Sequence, residues 1–208
     1  DCQEEYRAYA GGILPNLEKV LAAFRAARAA SDGVCIAWSA WSRRFDDGIA
    51  NAMDRWYGPR GFNPDEPENA VYVFTGAAGV EPLAEIAPTQ EDLDQGWFYH
   101  GKHLDMFWTF DEDGESYLDK KLEAHGIDTI VIVGLWTDEC VLSTAVVLVG
   151  DAVATATANQ EIALKVADST VAKVLTTEEV VNYMQHDFVV GEPGAVKGTR
   201  FPDGRKEA

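Results

Sequence analysis

Thr129-Ile130-Val131-Ile132-Val133-Gly134 runs directly into Leu135-Trp136-Thr137-Asp138-Glu139-Cys140-Val141 and then Leu142-Ser143-Thr144-Ala145. The first five residues form the strongest strand pattern in the chain, closed by glycine. Because that strand is apolar on both faces, it reads as a central parallel strand covered by helices on either side. The segment after it is then a strand-to-helix turn at a carboxyl edge. In open parallel sheets ligands bind beyond that edge.

Outward from this stretch, helices and strands alternate. Pro15 followed by Leu17, Val20, Leu21, Phe24 and Ala27 repeats at helical spacing and predicts an amphipathic helix over about 15–30. Val34-Cys35-Ile36-Ala37-Trp38, Ala70-Val71-Tyr72-Val73-Phe74 and Trp97-Phe98-Tyr99 read as strands. Residues 46–61 read as an irregular excursion with a short helix, and Asn63 to Asn69 as a loop. After the turn at Asp111 to Gly114, Tyr117, Leu118, Leu122 and Ala124 predict a helix stopped by Gly126. Val146 to Val149 is another strand, a helix is expected over about 158–168, and Ala172 to Leu175 precedes a helix beginning near Thr177. Strands alternating with helices imply an α/β fold: a doubly wound, Rossmann-like, mainly parallel sheet with helices on both faces.

Length and composition agree with one such domain over 1–208, ending in an irregular arm from about Gly191 that packs on a neighbouring subunit. Two domains would each fall below or near the usual ~100–150 residues. Hydrophobic residues make up 47% and charged residues 25%, which is ordinary globular usage. Lys+Arg number 17 against 35 Asp+Glu, a net charge of −18. That excess argues against nucleic-acid and anionic-membrane partners, which need clustered cations. Cys2, Cys35 and Cys140 are too few for a disulfide framework, so a reducing, cytoplasmic location is expected.

Cys140 carries the chemistry best. At a strand-to-helix turn, the free N–H groups and helix dipole favour a thiolate nucleophile. A lone cysteine is otherwise most often a buried structural residue, and the flanking sequence decides between the two. Gly134, Thr137, Asp138, Cys140, Val141, Ser143, Thr144 and Ala145 resemble the Gly-x-x-Thr-[Asp/Asn]-x-Cys-Val turn of the isochorismatase-like cysteine hydrolases. The resemblance covers most of the chain, strongly over 115–145 and weakly over about 40–95. Asp1-Cys2-Gln3 matches the family's Asp-x-Gln motif, which implies Asp1 as general base and places Gln3 beside the substrate. Lys102, five positions before Phe107, matches its lysine motif. That implies a catalytic cation beside Asp1 and Cys140, where a positive charge lowers both pKa values. By the same resemblance the backbone N–H groups of Trp136 and Cys140 form an oxyanion hole, with a cis peptide at Leu135–Trp136.

The activity implied is hydrolysis of a C–N bond in a small amide, ureide or carbamoyl compound through a Cys140 thioester. An isochorismatase-like hydrolase of another bond, and a catalytically silent homologue acting as a binding or assembly module, are the alternatives. Nicotinamidases of this superfamily bind a metal through histidines, and this chain has none before His100, so no metal or other cofactor is expected. His100 and His103 flank Lys102 without an assigned role. Among the aromatics, Trp136 and Phe107, then Trp38 and Trp41, are the candidates to line a pocket for a small apolar or planar substrate. A homodimer or homotetramer is implied by resemblance. Two spacings are unusual. Asp1 stands where an interior strand should already have run, and only 11 residues separate Leu135 from Ala145 inclusive, where a parallel crossover takes about a dozen or more. The expectation is that residues are missing before Asp1 and after Ala145.

Overall fold

Helix α1 (Leu14–Ala30) takes Pro15 in its first turn, where a missing N–H costs nothing, and buries Leu17, Val20 and Ala23 on one face. The structure, a computed structural model, describes residues 1–31, 33–42, 78–100, 106–108, 113–144, 147–155, 158–170 and 172–187. The expected strand at Ala70 to Phe74, the excursion and loop before it, the Ala145–Val146 junction and the arm from Gly191 lie outside them. Besides several one-turn helices, the other elements described are β1 (Trp38–Ala40), α2 (Gln90–Asp94), β2 (Phe98–His100), α3 (Tyr117–Ala124), β3 (Val131–Leu135), β4 (Val147–Ala154), α4 (Gln160–Thr170), β5 (Lys173–Leu175) and α5 (Thr177–Asn182).

Caps set the helix ends. Ser116 accepts from the Asp119 N–H at the start of α3, and Gly126, at φ +63°, closes it. There the Ile127 N–H reaches the Leu122 carbonyl at 2.8 Å and Gly126 that of Glu123 at 3.1 Å, a left-handed cap that glycine adopts without strain. Thr176 with Glu179, and Thr89 with Asp92, form reciprocal capping boxes at α5 and α2.

Among the described residues the strands pair in parallel, β1 with β2 and β3 with β4 with β5, and an isolated antiparallel bridge joins Gln3 to Pro82. The second sheet has helices on both faces. Val149 and Ala152 of β4 join Leu17 and Val20 of α1 and Val180 of α5 in one buried cluster. Leu148 and Val153, pointing the other way, pack with Val141 and with Ala167 of α4. Alternation along one strand thus feeds two cores, which is the doubly wound architecture expected.

Three boundaries differ from the sequence reading. The strand expected at Val34 to Trp38 pairs only over Trp38–Ala40, and the one expected at Thr129 to Val133 is Val131–Leu135. Cys35, Ile36, Thr129 and Ile130 instead line a cavity of about 280 Å³, shared with Leu17 of α1 and Leu122 of α3. The described strands form two sheets, β1 with β2 and β3 with β4 and β5. β4 also runs on to Ala154 because its register with β3 jumps from Ile132–Leu148 to Gly134–Val153. The bulge places Asp151 where its carboxylate accepts from the Thr177 N–H at 2.6 Å and hydroxyl at 2.8 Å. Its carbonyl accepts from Asn16 at 2.6 Å, so one bulge anchors the first turns of α1 and α5.

Candidate active site

Residues 1–3 are fixed by backbone bonds to two separate segments. The Asp1 amino nitrogen donates to the Ser39 carbonyl of β1 at 3.0 Å, and the Leu83 N–H donates to the Cys2 carbonyl at 3.0 Å. Gln3, only 1% exposed, donates its amide hydrogens to the carbonyls of Trp41 at 2.8 Å and Val80 at 2.9 Å. Its side-chain oxygen accepts the Trp41 N–H at 2.8 Å. Both amide hydrogens are therefore spent on the protein, so Gln3 positions Asp1 rather than presenting an N–H to substrate.

Cys140 reaches the same place from the other sheet. The Leu135–Trp136 peptide at the end of β3 is cis, and Thr137–Val141 follows as a π-helical turn. The Trp136 carbonyl accepts from the N–H groups of both Glu139, at 3.1 Å, and Val141, at 3.0 Å. Cys140 thus sits inside a wide turn rather than in the first turn of an α-helix, because the bond that closes the turn spans five residues. Asp1 is 9% exposed and Cys140 7% exposed, and both line the cavity at the carboxyl ends of β1 and β3.

Thr144 connects this turn to a distant segment. Its hydroxyl donates to the Cys140 carbonyl at 3.0 Å and accepts the Met106 N–H at 3.2 Å. Met106–Trp108 forms a short turn that contains Phe107, the aromatic end of the lysine motif, so Thr144 ties that motif's segment to the nucleophile turn. Thr144→Val leaves the buried Cys140 carbonyl and the half-buried Met106 N–H without this partner, and thermal melts should show a loss of about 1–3 kcal/mol, with Thr144→Ser close to the unaltered chain. An unchanged melting temperature for Thr144→Val would show that the bridge contributes nothing.

Of the residues singled out in the sequence, the cavity brings together Asp1, Gln3, Trp38 and Cys140. Lys102, His103 and the side chain of His100 lie outside the described residues. The other three aromatics point elsewhere. The Trp136 ring meets Tyr6 at 5.0 Å and Tyr9 at 5.1 Å, both edge-on. Phe107 packs on the Trp97, Tyr99 and Leu118 cluster, and Trp41 is buried in contact with Gln3. Trp38 lines the cavity but is held from behind: its indole N–H donates to the Ile86 carbonyl at 3.1 Å, and the Arg25 guanidinium stacks on the ring at 5.7 Å. The sequence reading gave Thr144 as a motif match without a role, and missed Thr155, Asn159 and Gln160, which contact Asp138 and Thr137 from the β4–α4 connection. Their only sequence signal is polar side chains just after a strand.

Burial pushes the Cys2 thiol above its usual range, and burial does the same to Cys35, partly opposed by Lys121 and Arg28. Among the described residues no cluster of three or more His, Cys, Asp or Glu is arranged to hold a metal ion, and no helix is long and apolar enough to cross a membrane.

A parallel α/β fold with a cysteine turn and an Asp-x-Gln segment meeting at strand carboxyl ends defines a hydrolase class. The family model of the isochorismatase domain matches residues 1–179, and the chain belongs to that family. Its fold is similar to that of a cysteine hydrolase from Pseudomonas syringae pv. phaseolicola 1448A, at TM-score 0.68 and 20% identity over 89% of each chain. An N-carbamoylsarcosine amidase from Thermoplasma acidophilum aligns at TM-score 0.56 and 22% identity, over 81% of this chain and 84% of its own. A nicotinamidase/pyrazinamidase from Bacillus subtilis aligns at TM-score 0.58 and 20% identity, over 84% and 94%. A search of curated protein sequences found no significant match.

Proposed function

We propose that the protein is a cysteine-dependent amidohydrolase that cleaves a C–N bond of a small amide, ureide or carbamoyl compound. The observation that carries this reading is the convergence on one cavity of Asp1, tied by its amino group to β1, and Cys140, in the turn after β3. In the proposed reaction Asp1 accepts the Cys140 thiol proton and the thiolate sulfur bonds to the substrate carbonyl carbon. The N–H groups of Trp136 and Cys140 donate to the oxygen that becomes negative. The C–N bond breaks as the leaving nitrogen takes the proton from Asp1. Water then attacks the thioester, Asp1 accepts its proton, and the acid leaves as the thiol is regenerated. Lys102 is assigned by its sequence motif to lower the pKa of both groups, favouring the Asp1 carboxylate before the proton moves and the Cys140 thiolate after it. Trp38 contributes an apolar wall, and the oligomer proposed is a homodimer or homotetramer.

Ammonia release from a panel of small amides and ureides tests the activity directly. Iodoacetamide at neutral pH tests the nucleophile: peptide mapping should find rapid labelling at Cys140, while burial keeps Cys2 and Cys35 protonated and slow. Equal labelling of all three thiols, with no ammonia from any panel member, would defeat the proposal.

A further inference from the structure

The turn that carries Cys140 is gripped from outside by residues to which no role has yet been given. Thr137, the first residue of the turn, is 1% exposed. Its hydroxyl donates to the Gln160 side-chain oxygen at 2.7 Å. The amide nitrogen of the same Gln160 donates to the Val153 carbonyl at 2.9 Å. Gln160 is the first residue of α4, and Val153 of β4 is the ladder partner of Gly134. The circuit therefore leaves β3 at Gly134, crosses the ladder to Val153, passes through the Gln160 amide and returns at Thr137. Between its two ends on the chain lie only Leu135 and Trp136. The next residue is held from the same side: Asp138 accepts from the Thr155 hydroxyl and, at 3.3 Å, from the Asn159 side-chain amide.

We propose that Gln160 is a positioning residue for the nucleophile turn, locking Thr137 to β4 so that the backbone between Trp136 and Cys140 keeps one orientation; the part it plays in chemistry rests on the amidohydrolase reading. The physical case is one of geometry. Oxyanion donors act at about 2.7–3.1 Å from the developing charge, so a small drift of the turn costs rate, and a single π-helical turn lacks the repeated i→i−4 ladder of an α-helix. Such a turn needs outside constraints. A buried hydroxyl with a single acceptor, itself anchored by a second bond to a sheet backbone, supplies one. Thr155 and Asn159 restrain the adjoining carboxylate, but Asp138 and Asn159 reach solvent more readily than Thr137 does, so Gln160 is the inner and dominant contact.

The test compares Gln160→Leu, Thr137→Val, the double variant and Thr137→Ser, which keeps the hydroxyl. Amide hydrogen exchange over peptides covering 136–142 should quicken about tenfold in Gln160→Leu, equally in Thr137→Val, and no further in the double variant, because one bond is being removed twice. Thr137→Ser should exchange like the unaltered chain. In the same proteins the rate of Cys140 alkylation, and kcat on an amide found by the panel, should fall about tenfold or more with KM little changed. Unchanged exchange in Gln160→Leu, or additive effects in the double variant, would overturn the proposal. Faster exchange with undiminished Cys140 alkylation, in a chain that alkylates rapidly to begin with, would overturn its role in the chemistry. Slow alkylation of the unaltered Cys140 would instead count against the amidohydrolase reading, and the clamp would then stand or fall on exchange alone. If Gln160→Leu does not fold, the Thr137→Val and Thr137→Ser pair decides the matter by the same readouts.

Discussion

Cys140→Ala should lower kcat on any amide that the unaltered chain hydrolyses by a factor on the order of 10⁴ or more, with KM changed little. The thioester route has no substitute for the sulfur, and the alanine methyl offers no lone pair. Binding should survive, because the variant keeps the backbone N–H of residue 140, the Trp136 N–H and the cavity walls. The fold should survive as well: Cys140 is a small buried side chain, and losing one sulfur atom costs about 1–2 kcal/mol at most. Steady-state kinetics paired with thermal melts separates the two effects. Activity within tenfold of the unaltered chain would end the covalent mechanism, and with it the assignment of Asp1 as the base for that thiol.

Asp92→Asn should cost about 3–5 kcal/mol of stability, which for a chain of this size lowers the melting temperature by roughly 10 °C. The Asp92 carboxylate is fully buried, and accepts from Arg25 at 2.5 Å, from Arg28 at 2.6 Å and from the Thr89 N–H at 2.8 Å. Burial alone would raise its pKa. The Thr89 N–H and the two guanidinium groups more than offset this and hold the carboxyl down at about 2. A carboxylate whose pKa falls on folding stabilises the native state above its unfolded value, and that contribution is lost as pH drops through the folded value. The gap in melting temperature between the unaltered chain and Asp92→Asn should therefore be full at pH 5–7 and shrink from about pH 4 towards pH 2. A gap independent of pH would show that shape and hydrogen bonding, not ionisation, account for the loss. Because Arg25 also stacks on Trp38, this network braces the cavity wall from behind.

Much of the fold was legible because periodicity reports burial. Helices α1, α3 and α4 fall within two residues of their expected limits, and Gly126 caps α3 as its position implied. Strand limits were less legible. Apolar residues mark where a strand can be buried, whereas a ladder also requires a neighbour, and Cys35 and Ile130 face a cavity instead. The bulge at Asp151 was invisible for a related reason: Gly150-Asp151 interrupts an apolar run, and only the bonds to Thr177 and Asn16 show that β4 continues through it. At the site, that Asp1 and Cys140 share one cavity was readable from motifs. The uses of Gln3, Trp136 and Phe107 were not, because a motif names a residue type and does not say which of its neighbours satisfies it.

The amino-acid sequence by itself determined the alternating α/β pattern, the single-sign charge excess and the pairing of an Asp-x-Gln segment with a cysteine turn, since each depends on local spacing or on residue chemistry. Only the tertiary structure decided that Gln3 serves the backbone, that Trp136 stacks on Tyr6 and Tyr9, and that Thr144 and Gln160 brace the turn around Cys140. Apart from the Thr144–Cys140 bond, which spans four positions, those contacts join residues 23 to 130 positions apart. No local pattern encodes them, because a hydrogen bond or ring contact is chosen by whichever partner packing brings within reach.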